Sequence, residues 1–166
     1  LVSEGDRIQA DDARFRRELA SWVHSNRSRS RDGMPGYAFG IGDVASVFGP
    51  LVLRTFDWGK GQAARDEQLV MGSPLLALLK TKNDTPIDWL NTGRALAQVL
   101  LYLTDQNLSA SFLNQPIEVA DLRVALKNEL GDDGHPQILL RIGRGPKIAP
   151  TPRRSVADVT KTATSE

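Results

Sequence analysis

The sequence predicts a mixed fold of the α/β or α+β class, with strands packed between helices. Three observations carry this. The second half alternates a compact apolar run (74–81), a long helical pattern (85–103), a short strand pattern (109–113), a second helix (119–130) and a clear strand (136–143). The chain is 166 residues long, enough for about one domain with a sizeable core. Its 40% apolar and 25% charged residues are those of an ordinary globular protein rather than a disordered one.

From the N-terminus, residues 1–10 are polar and read as a frayed lead. Asp11 and Asp12 then sit where a helix dipole favours negative charge, ahead of an amphipathic helix over 13–24. Phe15, Leu19, Trp22 and Val23 share one face of it. The segment 25–36, rich in Ser, Asn, Arg, Gly and Pro, reads as a loop. Its Arg27, Arg29 and Arg31 alternate with serines and either clasp an anion or lie in solvent. A short helix is expected over 43–48, and 52–56 is ambiguous between helix and strand. Residues 58–66 carry two glycines and read as a loop entering another short helix. Those glycines are too few and wrongly spaced for a phosphate-binding loop or a dinucleotide fingerprint.

The run 74–81, closed by Lys82-Asn83-Asp84, suits a strand buried on both faces. Thr85 and Pro86 form an N-cap with Pro at the first helical position. The helix that follows is apolar on nearly all sides, which predicts a central, buried element. Gly93 should let another element approach it closely. Arg94 and Gln98 are its polar exceptions; a buried Arg94 needs a carboxylate or a ligand, and otherwise Arg94 lies at an exposed edge. Ser109 to Leu113 is a short strand, ended by a turn at Asn114-Gln115-Pro116. The helix over 119–130 presents Leu122, Ala125, Leu126 and Leu130, and Gly131 to Gly134 stop it. The strand 136–143 is broken by Gly143 and Gly145, and a Pro-rich tail with a disordered end follows.

The charges narrow the function classes. A net charge of +1 gives no bulk electrostatic case for nucleic acid or an anionic membrane. The absence of Cys excludes disulfides, thiolate catalysis and Cys-ligated metal sites, and His24 and His135 form no metal-ligand spacing. No apolar run reaches a membrane span and no signal peptide is visible, so a cytoplasmic location is expected. No side chains form a catalytic constellation. Of the 21 basic residues 15 are Arg, and the stretch 141–154 holds Arg141, Arg144, Lys147, Arg153 and Arg154 without an acid. It is either a solvated tail or an anion site, since guanidinium offers a rigid fork of donors to phosphate oxygens.

Taken in order, Asp88-Trp89-Leu90-Asn91-Thr92-Gly93-Arg94-Ala95-Leu96, then 107–118 with Pro116-Ile117-Glu118, then Leu122-Arg123, Leu140-Arg141-Ile142-Gly143 and Pro152-Arg153-Arg154 resemble the C-terminal portion of the FMN-dependent nitroreductase family. The wording is closest to the Acg-type branch, built of two nitroreductase-like halves in tandem. The resemblance covers roughly 30–157 and no single motif in it is specific; the ordered set is.

The resemblance implies an α+β nitroreductase-like α/β/α sandwich with a mainly antiparallel sheet and a long central helix. It implies one such unit over 1–157, with a disordered tail over 158–166. It further implies FMN at an interface with a second nitroreductase-like unit, a second copy or an N-terminal half. Pro116, Ile117 and Glu118 would lie along the flavin edge with the turn's amides facing it, and Arg153 and Arg154 would meet the FMN phosphate. The chemistry is then the cofactor's, moving hydride from NAD(P)H to a nitro or quinone acceptor, without a side-chain acid or base. The sequence departs from the family pattern in two places. Val119 stands where the family has Gly. The Arg-Ser-x-Arg motif that opens the family fold is missing from the start, and Arg27 to Arg31 resembles it only in composition. With Leu1 in first place, this leads to the expectation of a C-terminal half or fragment. It also keeps two alternatives open: a non-catalytic flavin-binding or storage protein, and a degenerate half-domain that serves in pairing.

Overall fold

A computed structural model describes residues 1–55, 59–131, 133–146 and 148–160. Phe56, Asp57, Trp58, Asp132, Lys147 and the stretch 161–166 lie outside the described residues. The elements are α1 (Val2–Asp11), α2 (Ala13–Trp22), β1 (Val23–His24), β2 (Met34–Pro35), a 3-10 turn (Gly36–Phe39), α3 (Asp43–Thr55), α4 (Gly59–Met71), β3 (Leu75–Thr81), α5 (Pro86–Asp105), β4 (Ser109–Phe112), α6 (Gln115–Glu118), α7 (Ala120–Leu130), β5 (His135–Gly143) and α8 (Val156–Val159). The fold is α+β with an antiparallel main sheet, the class that the resemblance implies. Two compact units are present. One holds α1 and everything from α4 through β5. The other holds α2, β1, β2, α3 and α8.

The first unit is built on a three-stranded sheet in the order β3-β5-β4, with both pairings antiparallel. Leu140 and Ile142 of β5 face Ala77 and Leu75 across β3, and Phe112 and Ala110 across β4. Side chains alternate between faces, so these residues share one face, and α5 covers it with Leu96, Val99 and Leu103. Leu140 is fully buried at the centre of this core. A bulge between Leu79 and Lys80 shifts the register at the end of β3. The strand expected to be buried on both faces is not: Leu75 and Leu76, which alternate between the two faces, are both exposed at its start.

The helix α5 begins as the sequence predicts, with a Thr85–Asp88 capping box and Pro86 in the first turn. It is not buried all round. Thr92, Leu96, Val99 and Leu103 form the core stripe, whereas Ile87, Leu90, Ala97 and Leu101 recur on the opposite side, with Ile87, Leu90 and Leu101 exposed. Two apolar stripes on opposite sides give the all-round hydrophobic pattern. Arg94 falls on the exposed side, and nothing approaches Gly93 within 4 Å of where a Cβ would stand, so the expected close approach is absent.

The largest departure is at the N-terminus. Residues read as a frayed lead form α1, with Gly5, Asp6 and Ala10 buried. The helix lacks an apolar stripe and is held instead by close approach. A Cβ on Gly5 would stand 2.6 Å from Gln115 Cβ, so only glycine lets α1 and α6 meet. Residues 59–66, read mostly as loop, are helical from Gly59, and Ala63 is buried where α4 meets α1. The expected turn at 114–116 is the start of the single helical turn α6. At the other end of α7, Gly131 takes φ +66°, the left-handed conformation that ends helices.

In the second unit α2 packs on α3, which runs past the expected end at 48 through the ambiguous stretch to Thr55, with Pro50 inside it. The loop 25–36 is organised by Asn26. Its side-chain oxygen accepts from the Tyr37 amide (2.7 Å), and its amide group donates to Ile41 O (3.0 Å) and Asp43 Oδ1 (2.9 Å). The short strands β1 and β2 pair in parallel beside it. In the expected disordered tail, Ser155 caps the one-turn helix α8.

Candidate functional site

The turn Asn114–Glu118 follows β4 directly, and every one of its neighbours holds it. The Asn114 side chain accepts from the Leu139 amide (3.0 Å), which prolongs the ladder on β5. Gln115 Nε2 donates to Asp6 Oδ1 and to Asp66 Oδ2, both at 3.0 Å, and so ties α1 to α4. Glu118 Oε2 accepts from Gln9 Nε2 at 2.7 Å. Pro116 is buried and Glu118 is exposed. The amides of Ile117 and Glu118 donate to Asn114 O (2.8 and 2.9 Å) and that of Val119 to Gln115 O (3.2 Å). These amides are spent within the turn. Val119 has φ −89°, extended backbone that any residue adopts, so the departure from Gly costs no strain.

The pocket of Asp6, Asp66 and Gln115 has unusual electrostatics. Asp6 and Asp66 are both buried. Burial pushes the Asp6 carboxyl up to about 6; the hydrogen bond from Gln115 opposes this, and the neighbouring Asp66 carboxyl adds to it. Asp6 Oδ2 and Gln115 Oε1 are buried without a hydrogen-bond partner.

A second polar cluster lies where α7 meets β5. Arg123 grips Asp84 with both terminal nitrogens (2.8 and 3.0 Å) and donates Nε to Pro136 O (2.8 Å). Asp84 Oδ1 also accepts from Trp89 Nε1 (2.7 Å) and Gln137 Nε2 (3.0 Å). The hydrogen bonds from Arg123, Trp89 and Gln137 hold the Asp84 carboxyl well below the usual range. This is the loop after β3 fastened to α5, α7 and β5, and it explains the Leu122-Arg123 motif as an anchor rather than a ligand contact.

Arg153 and Arg154 belong to the second unit. Both are exposed. Arg153 Nη1 donates to Thr151 Oγ1 (2.5 Å) and Pro152 O (3.1 Å), which fixes its guanidinium against its own Pro-rich turn. Arg154 Nε lies 4.0 Å from Asp32 Oδ2. The Ser30 hydroxyl, with Arg154 and His24 nearby, holds the Asp32 carboxyl below its usual range. The Arg27, Arg29 and Arg31 side chains around it are exposed. The acid-free segment is thus divided: Arg141 and Arg144 belong to the sheet unit, Arg153 and Arg154 to the other.

The sequence reading missed Asp6, Asp66 and Asp84. The signal for Asp84 was present, since it precedes the Thr85 cap and Trp89 lies one helical turn beyond that cap. Nothing local marked Asp6, whose environment is made by residues 60 and 109 positions away. No helix of the described residues is long and apolar enough to cross a membrane.

Comparison with known proteins adds sequence kinship. No family model matches the chain, and no solved structure matches it. It is 33% identical over 166 aligned residues to "Putative NAD(P)H nitroreductase Rv3131" of Mycobacterium tuberculosis strain H37Rv and to its counterpart in strain CDC 1551. The alignment covers 96% of this chain and 46% of each of those proteins, so the chain spans about half their length. An uncharacterised protein of the same organism, Rv3127, is 31% identical over 111 residues, covering 64% of this chain and 30% of its own. The chain is thus similar, through nearly its whole length, to about half of a protein named as an NAD(P)H nitroreductase.

Proposed function

We propose that the chain is one nitroreductase-like unit of an FMN-dependent NAD(P)H oxidoreductase, corresponding to one half of a tandem, Acg-type arrangement. The observation that carries this reading is the 33% identity across 96% of the chain to a protein named as an NAD(P)H nitroreductase. The fold adds a rigid turn, Pro116-Ile117-Glu118, directly after β4. FMN, when bound, supplies hydride acceptance from NAD(P)H and hydride delivery to a nitro or quinone acceptor. The donor chemistry present suits that cofactor in part. Arg153 and Arg154 are exposed guanidinium groups beside prolines, apt for a phosphate dianion. Ile117, half-buried beside the buried Pro116, offers an apolar edge to a flavin ring. Because the turn's amides are spent internally, its contribution to the ring is contact and position rather than hydrogen bonding.

The visible spectrum of the purified chain tests this reading. FMN addition is expected to give a yellow complex, and Arg153→Ala with Arg154→Ala is expected to weaken it at least about tenfold, the loss of one charge-assisted contact. A chain that stays colourless with FMN overturns the reading. The second reading, a flavin-binding protein without turnover, is favoured by the spent amides and by Asp32 beside Arg154. A yellow protein that leaves NAD(P)H unoxidised selects it.

The proposal includes pairing with a second nitroreductase-like unit through the outer stripe of α5. Ile87, Leu90, Leu101 and Tyr102 are each more than 60% exposed there, a contiguous apolar surface of the kind that marks an interface. Leu90→Glu combined with Leu101→Glu is expected to abolish self-association in sedimentation experiments while the circular dichroism spectrum stays unchanged, since neither residue reaches the core. Self-association that survives both changes removes α5 from the interface.

A further inference from the structure

The face of the sheet turned away from α5 carries a second set of polar groups. Arg141 of β5 is paired in register with Ser111 of β4, and Ser109 is paired with Gly143. Side chains on β4 alternate, so Ser109 and Ser111 share this face while Ala110 and Phe112 take the core face. The three polar residues line a cavity of about 240 Å³ together with Gln68, Ser73 and Arg144. Among the described residues, its charged lining groups are Arg141 and Arg144, and no carboxylate lines it. Arg141 Nε is buried and makes no hydrogen bond. Among the described residues neither Arg141 nor Arg144 has a carboxylate partner, and neither the Ser109 nor the Ser111 hydroxyl is bonded to a protein group.

A buried guanidinium nitrogen without an acceptor is costly, and native proteins almost always satisfy such groups. In this chain Arg123 shows the usual solution, a carboxylate taken bidentately. Arg141 sits on a β-strand between Leu76, which offers no acceptor, and Ser111, whose hydroxyl makes no bond to it. The unspent donors converge: a guanidinium fork fixed on the central strand, two hydroxyls two residues apart on the next strand, and a second arginine just past the strand end. A tetrahedral phosphate dianion presents its oxygens to several donors at once, and its two charges match the two arginines. The cavity also exceeds what the anion alone would fill.

We propose that this cavity is a binding site for the phosphate of a small phosphomonoester, with Arg141 as the main anchor, Ser109 and Ser111 as hydroxyl donors and Arg144 as the outer charge. It lies at the end of the sheet where β5 finishes, whereas the Pro116 turn follows the opposite end of β4. It is therefore distinct from the flavin contacts proposed above and does not depend on them. Gly143 lies beside the cavity as well: a Cβ there would stand 3.0 Å from the Pro74 ring and press against it.

Titration of the full chain with inorganic phosphate and with phenyl phosphate, at fixed ionic strength, tests this by calorimetry and by amide chemical shifts. Saturable binding is expected, with shifts at Ser109, Ser111 and Gly143. Arg141→Gln is expected to weaken it at least tenfold, and Arg141→Lys nearly as much, because Lys keeps the charge but loses the fork. Arg153→Ala is expected to leave it unchanged. Tighter binding of phenyl phosphate than of inorganic phosphate assigns the rest of the cavity to the organic part of an ester; the reverse order assigns the site to the free anion. Folding of each variant is read from the same spectra, and Ser111→Ala, which removes one hydroxyl without altering charge, gives a milder loss if Arg141→Gln fails to fold. Non-saturable binding, or binding that Arg141→Lys and Ser111→Ala both leave intact, overturns the proposal.

Discussion

Arg123→Ala is expected to destabilise the chain by about 3 kcal/mol in chemical denaturation, the largest effect of any single polar substitution in the sheet unit. The substitution removes both bonds to Asp84, the bond to Pro136 O and one to Gln137. Both partners are less than a third exposed, so the Asp84 carboxylate left behind is poorly hydrated and keeps only Trp89 and Gln137 as donors. Arg123→Lys recovers little, because one ammonium cannot replace the bidentate grip and the carbonyl contact together. The pH dependence has a definite sign. The folded-state carboxyl of Asp84 titrates below its ordinary 3.8, so its contribution is fully present above about pH 4 and is lost as pH falls further. The variant should therefore lose part of the acid-side decline in stability along with the stability itself. A wild-type acid limb retained in Arg123→Ala means the clamp is not what acid breaks.

Asp6→Asn is expected to act in the opposite direction, raising stability at pH 7 by as much as about 3 kcal/mol, the equivalent of roughly two pKa units. Asp6 titrates near 6 in the fold against 3.8 for an ordinary carboxyl. Between those values the folded chain binds a proton that the unfolded chain releases. The stabilising contribution of the protonated acid is complete below about pH 4 and disappears as pH rises through about 6. Asparagine cannot ionise, so its variant should be flat across that window, and it retains an oxygen to accept from Gln115. Thermal melts of both proteins at half-unit pH steps from 4 to 7 check this. Parallel curves would show that the buried pair of Asp6 and Asp66 does not control the slope. Because Gln115 adjoins Pro116, the same titration is expected to loosen the turn that the flavin reading depends on.

The order of elements from Leu75 to Gly143 was legible because each carries a local signal. Thr85 and Pro86 announce the start of α5, Gly131 the end of α7, and the alternation through Ile138, Leu140 and Ile142 a strand with one core face. The candidate flavin turn was legible only as a motif, Pro116-Ile117-Glu118; its packing was not. The helix α1 was invisible because its stability comes from Gly5 fitting under Gln115 rather than from an apolar stripe. The burial of α5 was overestimated because hydrophobicity records that a surface avoids water, not which surface covers it.

By itself, then, the sequence determined the α+β class, the start of α5 at Thr85-Pro86, the stop of α7 at Gly131, and the acid-free arginines of the C-terminal segment. Only the tertiary structure decided which arginine serves which purpose. Arg123 anchors Asp84, Arg141 faces a cavity with its Nε unsatisfied, and Arg153 and Arg154 lie exposed in another unit. The reason is physical. Helix and strand patterns depend on neighbours within a few residues, whereas the role of a guanidinium is set by the acceptor it meets, and the carboxylate that Arg123 meets lies 39 residues away in sequence.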